Sequence, residues 1–303
     1  MPARTDLAAI NGWIILDKPL GLTSAQGVAA VKRILRTNGL TVPRIGHGGT
    51  LDPLATGVLP IALGEATKLA GRMLDAAKAY DFTVQFGSET STLDAEGEIT
   101  ATCDVRPNEA EIHAIVPRFT GPITQIPPAY SALKVGGQRA YTLARAGETV
   151  SLAARHLVIH SLTFTAATSD SASFSCFVSK GTYIRSLARD ISCALGTVGH
   201  VTMLRRTRSG PFALAQAISL DKLGELVQAA QLEQVLLPLM TGLDDIPALA
   251  ITPDEAAALK QGRRLLGHPA SNGTHLAAHG SVPVALVEAH EGEVRVLRGF
   301  NLD

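Results

Sequence analysis

The sequence predicts an α+β fold with a mixed central sheet, a long irregular insertion and a small, mostly β tail. Three observations carry that prediction. Strand-like and helix-like segments interleave without a regular strand–helix–strand rhythm, which disfavours a doubly wound parallel sheet. From Tyr80 the apolar period becomes two, so Tyr80, Phe82, Val84 and Phe86 share one face of a strand. After a Gly- and Pro-containing stretch at 242–250, the remaining residues are mostly strand-like, as in a small appended domain.

Element by element, Gly12 to Lys18 (GWIILDK) reads as a short buried strand. Thr23 or Ser24 then offers an N-cap, and Val28, Val31, Ile34 and Leu35 form the apolar stripe of a helix. Residues 38–56, rich in glycine, proline and threonine, read as a loop. A second buried strand is expected over 58–63, then a helix over 65–79 with Leu69, Met73 and Ala76 on one face. Pro107 opens a helix running to about Phe119, and residues 125–152 are irregular and basic. Segments 156–165 and 172–179 look like paired strands. Thr182 caps a helix striped by Ile184, Leu187, Ile191 and Leu195, and 198–204 is again extended. Helices are expected at 219–230, 232–239 and near 253–260, with strands at 282–287 and 293–298. The implied organisation is a main domain over 1–247 and a small domain over 248–303.

The 303 residues carry no apolar run long enough to span a membrane, and the N-terminus lacks the apolar core of a signal peptide. Cys103, Cys176 and Cys193 are scattered, with neither metal-ligand pairing nor a disulfide framework, which fits a reducing cytoplasm. The 27 basic and 27 acidic residues cancel, so net charge gives no sign of a nucleic-acid partner. Their distribution does: basic residues cluster at Lys32-Arg33-Arg36, at Lys134-Arg139-Arg145 and at Arg205-Arg206-Arg208, while acids concentrate at 89–111 and 221–255. Solvated surface charge explains the same clusters equally well.

The most informative stretch is Arg44 to Pro60, RIGHGGTLDPLATGVLP. Its glycines permit a tight backbone path, and Pro53 biases Asp52 towards an extended conformation. A carboxylate locked on a stiff loop is what a nucleophile or acid/base requires, although an Asx-turn would use the same residues. A dinucleotide-binding fingerprint fails on spacing, and no Gly-Lys-Ser/Thr follows to make a phosphate-binding loop.

That segment resembles the catalytic signature of the tRNA pseudouridine-55 synthase, or TruB, family, which reads roughly G-H-x-G-T-L-D-P-x-A-x-G-V-L. Further stretches resemble the family in order: Asp17 to Ser24 (DKPLGLTS), Gly64 to Leu69 (GEATKL), Lys78-Ala79-Tyr80, Gln125 to Lys134 (QIPPAYSALK), Gly181 to Asp190 (GTYIRSLARD) and Leu204 to Gly210 (LRRTRSG). The resemblance covers about residues 12–245 and, more faintly, the tail. One departure is Gly48, where many relatives have Thr. It keeps the loop small and removes no catalytic residue.

The resemblance implies a pseudouridine-synthase fold: a mixed, largely antiparallel sheet flanked by helices, a thumb insertion at about 125–152 and a small PUA-like RNA-binding tail. It implies isomerisation of uridine to pseudouridine in the T-arm of tRNA, by breaking N1–C1′, rotating the uracil and joining C5 to C1′. No group leaves and nothing is oxidised, so no metal or other cofactor is expected. Asp52 aligns with the catalytic aspartate, which would attack C1′, add to C6 or remove a sugar proton. Arg185 aligns with its partner arginine, whose fork would orient the carboxylate and keep it ionised. Tyr80 would stack on the target uracil, worth roughly 1–3 kcal/mol. Tyr183 and Leu204 would line the pocket, and His47 would lie near the gap left by the extruded nucleotide. Lys134, Arg139 and Arg145, interleaved with Tyr130 and Tyr141, would grip RNA, as would Arg205 and Arg206.

Taken singly, these residues have ordinary readings: Tyr80 and Leu204 as core, Arg185 as a solvated helix residue, His47 as a loop hydrogen-bonder. Two other functions compete, a non-catalytic tRNA chaperone and the guide-RNA-dependent branch that modifies ribosomal RNA. Asp52, Tyr80, Tyr183 and Arg185 favour an enzyme, since chaperoning needs none of them. The match at 125–152 favours a stand-alone monomer without an obligatory protein partner.

Overall fold

The computed structural model describes residues 10–42 and 44–302. The chain opens with β1 (Gly12–Lys18), α1 (Ser24–Thr37), β2 (Ile45–His47), β3 (Ala55–Leu63), α2 (Ala70–Asp75) and β4 (Lys78–Phe86). A hairpin of β5 (Ser88–Thr90) and β6 (Ile99–Thr102) leads to α3 (Glu109–Ile115) and β7 (Gly121–Gln125). The insertion holds a small hairpin, β8 (Lys134–Val135) and β9 (Gln138–Arg139), and the short helix α4 (Ala140–Arg145). Then come β10 (Arg155–Ala167), β11 (Ser171–Val178), α5 (Ile184–Ala194), β12 (Gly199–Ser209), β13 (Phe212–Ala213) and α6 (Leu220–Gln228). The tail comprises β14 (Ala248–Ala250), α7 (Pro253–Lys260), β15 (Leu265–Leu266), β16 (Gly273–His279), β17 (Val282–His290) and β18 (Glu293–Gly299).

The central sheet runs β1-β3-β12-β4-β11-β10-β7, with β2 added to β3 and β13 to β12. Every pairing is antiparallel except β3 with β12, so the sheet is mixed and largely antiparallel, as expected. The single parallel pairing sets Leu204 beside Ala55, three residues after Asp52. Its left part is covered on both faces. Alternate residues of β1 go to two cores: Ile14 and Leu16 pack with α1, α5 and α6 residues, while Trp13 and Ile15 pack with Met73, Phe212 and the tail residues Leu276, Leu286 and Phe300. That is why this strand is apolar throughout. β4 and β11 bury one face only, through Phe82, Val84, Phe174 and Cys176. Their other face carries polar cross-strand pairs, Ser175–Asp81 at 2.6 Å and Thr83–Ser173 at 2.9 Å, which yields the strict alternation.

Several expected elements differ. The helix over 65–79 is a 3₁₀ turn (Gly64–Leu69) followed by the six-residue α2. It stops because Ala77 pairs with Gly210 across the sheet and the Lys78 ammonium takes the free carbonyls at its end. The helix at 232–239 is one 3₁₀ turn, Leu232–Gln234, because Leu237 pairs both ways with Trp13 at 2.8 Å. Pro238 also disfavours a helical residue before it. Thr182 does not cap α5; its hydroxyl donates to Ser179 and the helix starts after Tyr183. Helix α3 begins at Glu109 rather than Pro107, with Asn108 as its cap in a capping box with Glu111. Strands β2, β5 to β9 and β13 to β16, short or lacking an apolar period, are not evident in the sequence.

Candidate active site

The loop between β2 and β3 is held from three sides. Ser24 Oγ accepts the Leu51 amide at 2.7 Å and donates to its carbonyl at 3.1 Å. Lys18, fully buried, donates to the carbonyls of Pro19 (3.0 Å), Leu22 (2.6 Å) and Pro53 (3.3 Å), and the Gly21 amide also reaches Pro53 O at 2.9 Å. Arg206, 1% exposed, threads beneath the loop and donates to Val58 O (2.7 Å), Gly49 O (3.2 Å) and Thr50 O (3.3 Å). Gly57, at φ +97°, makes this possible: a Cβ there would stand 2.2 Å from the Arg206 carbonyl oxygen.

Asp52 sits at the apex of this clamped turn, its side chain 39% exposed. Its Oδ2 lies 2.9 Å from Nη2 of Arg185 on α5. Arg185 is 6% exposed and engaged at both terminal nitrogens: Nη2 also donates to Tyr130 O (2.9 Å), while Nη1 donates to Thr92 O (2.7 Å) and lies 3.4 Å from Asp94 Oδ2. One guanidinium thus joins the 48–54 loop, the β5–β6 turn and the base of the insertion. A buried guanidinium between two carboxylates is positioned rather than mobile.

Asp52 and Arg185 border a cleft of about 280 Å³, whose other walls include Tyr80, Tyr183, Leu204 and Lys78. That volume approaches the lower end of small-ligand sites, roughly 300–1,000 Å³, and suits one nucleoside rather than a folded RNA. Burial raises the pKa of both tyrosines, so both phenols stay protonated at neutral pH. A larger cavity of about 390 Å³ lies behind α2; of its lining charges Arg72 pairs with Asp245, and Asp75 pairs with Lys180 outside it, both at 2.9 Å.

Six of the expected site residues, Asp52, Tyr80, Tyr183, Arg185, Leu204 and Arg206, therefore converge on one cleft. Others do not. His47, on β2, is not among the cleft's lining residues. Its Nδ1 is buried without a hydrogen-bond partner among the described residues, and burial lowers its pKa. Lys134, Arg139 and Arg145 lie on the insertion and do not line the cleft, with Arg139 donating to Ala132 O and Arg145 over the Tyr141 ring at 5.8 Å. The expected basic stripe at 205–208 is broken up. Arg205 is bound through both terminal nitrogens to Asp17 (2.8 and 3.1 Å), and Arg206 is buried under the loop at the back of the cleft. Strand geometry is the reason: consecutive residues point to opposite faces.

Asp94 and Lys78 were not among the expected site residues, although Lys78 opens a family-like stretch. Asp94 is 2% exposed and belongs to Thr92-Leu93-Asp94-Ala95-Glu96-Gly97, a turn within the acidic stretch 89–111 whose sequence singles out no one carboxylate. Among the described residues, no group of three His, Cys, Asp or Glu side chains could hold a metal.

The N-terminal domain of the TruB family pseudouridylate synthases matches residues 32–184, and the tRNA pseudouridylate synthase B C-terminal domain matches residues 185–244. The chain belongs to the TruB family. A protein of Novosphingobium aromaticivorans named tRNA pseudouridine synthase B is 62% identical over 97% of this chain and 98% of its own length. One of the same name from Zymomonas mobilis is 57% identical over 99% of this chain and 98% of its own length. Among solved structures, a Cbf5–Nop10–Gar1 complex aligns with a TM-score of 0.75 at 28% identity, covering 96% of this chain and 85% of the other. As a TruB-family member the chain is a pseudouridine synthase, with the mixed-sheet fold of those enzymes and a mostly β C-terminal part.

Proposed function

We propose that the chain isomerises uridine to pseudouridine in the T-arm of tRNA, at position 55, with Asp52 as the catalytic carboxylate. The observation that carries this is the 2.9 Å Asp52–Arg185 pair at the edge of a nucleoside-sized cleft. The target uridine leaves its stack and enters the cleft, where Tyr80 stacks on the uracil and Leu204 and Tyr183 exclude water. Asp52, ionised and oriented by Arg185, acts at C1′, at C6 or on a sugar proton, and each route ends with C5 joined to C1′. The clamped loop supports any of them, because it fixes the carboxylate while the base turns.

The insertion, anchored to α5 through Gln125–Tyr183 (2.9 Å) and Ile126–Ser186 (2.9 Å), acts as a thumb that contacts RNA with Lys134, Arg139 and Arg145. The β tail over 248–303 serves as a second RNA-contacting domain. The identities of 57–62% to proteins named for tRNA, against 28% to the Cbf5 complex, favour a stand-alone tRNA enzyme over a guide-dependent one.

The test is incubation of the purified protein with an unmodified tRNA transcript, without added metal or nucleotide. Carbodiimide-blocked primer extension should stop at position 55. Stops elsewhere would refute the T-arm assignment, and none at all would refute the activity on free tRNA.

A further inference from the structure

Lys78 and Leu74 stand in the cleft wall without a part in the reaction described above. Lys78 is the first residue of β4, two before Tyr80, and is 8% exposed. Its Nζ donates to the carbonyls of Met73 (2.8 Å), Leu74 (2.8 Å) and Ala76 (2.6 Å). Met73 and Leu74 belong to the last turn of α2, whose carbonyls lack amide partners within the helix. An ammonium has three donors and no acceptor, so this tripod uses all of them. Its positive charge also lies at the helix end that favours a cation. Burial lowers the Lys78 pKa to about 8, which leaves it mostly charged at neutral pH.

The same short helix is held on two further sides. A Cβ at Gly48 would stand 2.6 Å from the Met73 Cβ, so only glycine lets α2 approach the Asp52 loop this closely. Asp75 pairs with Lys180 at 2.9 Å, next to the 179–183 side of the cleft. What the helix presents there is Leu74, an apolar side chain 54% exposed that lines the cleft together with Asp52 and Tyr80.

We infer that Lys78 is a positioning residue for the isomerisation: it ties the end of α2 to the start of β4 and so fixes Leu74 as an apolar wall of the nucleoside cleft, in register with Tyr80. The inference rests on the reading of that cleft as the uridine site. A six-residue helix has little stability of its own. Without the ammonium its last carbonyls would have to find water, the turn would fray and the wall would move.

The experiment measures single-turnover pseudouridine formation and tRNA affinity for wild type, Lys78→Ala, Leu74→Ala and the double variant. Lys78→Ala should slow the rate by between about ten- and a hundredfold while tRNA affinity changes by less than about twofold. Ethylammonium should restore part of that rate by filling the vacated space with N–H donors, whereas tetramethylammonium, charged but without donors, should not. Leu74→Ala should also slow the rate, and adding it to Lys78→Ala should cost little more, because both changes remove the same wall. A near-normal rate in Lys78→Ala overturns the inference, as does a loss that ethylammonium leaves untouched. If Lys78→Ala does not fold, Leu74→Ala decides on its own: an unchanged rate overturns the inference and a slowed one upholds it. Wild type that makes no pseudouridine would instead overturn the proposed function.

Discussion

At the residue scale, the cleft holds a carboxylate on a clamped loop beside an arginine engaged by four partners. Asp52→Asn keeps the shape of the side chain and removes its charge. It should lower single-turnover pseudouridine formation by about 10²–10⁴-fold or more while leaving tRNA affinity near wild type, as read by filter binding. Arg185→Ala should do more than slow the reaction. It strands the buried Asp94 without its cation, and breaking a buried pair costs about 3–5 kcal/mol, visible as a lower urea midpoint. Cys176, beside Tyr80 in the sheet, gives a pH prediction. Burial pushes its thiol from 9.0 up to about 12, so the folded chain keeps a proton that the unfolded chain releases. Its stabilising effect is complete below pH 9 and is lost as pH rises towards 12. The stability advantage of wild type over Cys176→Ala should therefore shrink through that window in pH-dependent urea unfolding.

At the scale of elements, what matters is which segments carry their own structure and which borrow it. The insertion has a hairpin, a six-residue helix and exposed basic side chains, and its base is tied to α5 through the side chain of Gln125 and the carbonyls of Ile126 and Tyr130. Neutralising Lys134, Arg139 and Arg145 together should weaken tRNA binding. It should also flatten the log–log salt dependence by up to about 0.7–0.9 per lost phosphate contact. An unchanged slope in a salt titration would remove the insertion from the interface. The long elements were legible from the sequence: β1, α1, β4, β10, β11, α5 and α6 follow apolar periods that one buried face imposes. The supposed helices at 65–79 and 232–239 were not. Their apolar spacing is helical, but a sheet pairing at Ala77 and Leu237 competes for the same backbone groups and wins.

At the scale of the whole molecule, the tail is packed as part of a shared core. Leu276, Leu286 and Phe300 join Trp13, Ile15 and Phe212 in one cluster, and the Trp13 and Phe212 rings lie 5.1 Å apart. Phe300, 1% exposed, should cost about 3–5 kcal/mol when replaced by alanine. Unfolding followed by Trp13 fluorescence and by circular dichroism should remain one coincident transition, because this core joins the two sheets. Separate transitions would make the tail an independently folding unit.

The sequence by itself determined the family, the α+β class, the irregular basic insertion and the candidate residues that line the cleft. Those are written in local order: a Gly-Pro loop around Asp52, an aromatic opening β4, and Tyr183 and Arg185 at the start of α5. Only the tertiary structure decided that Arg185 serves Asp94 as well as Asp52, that Arg206 props the loop from beneath, and that Lys78 caps a helix which ends well short of its apolar pattern. The physical reason is common to all three. A charge finds its partner across distances in the chain that no local pattern records, and burial obliges it to find one.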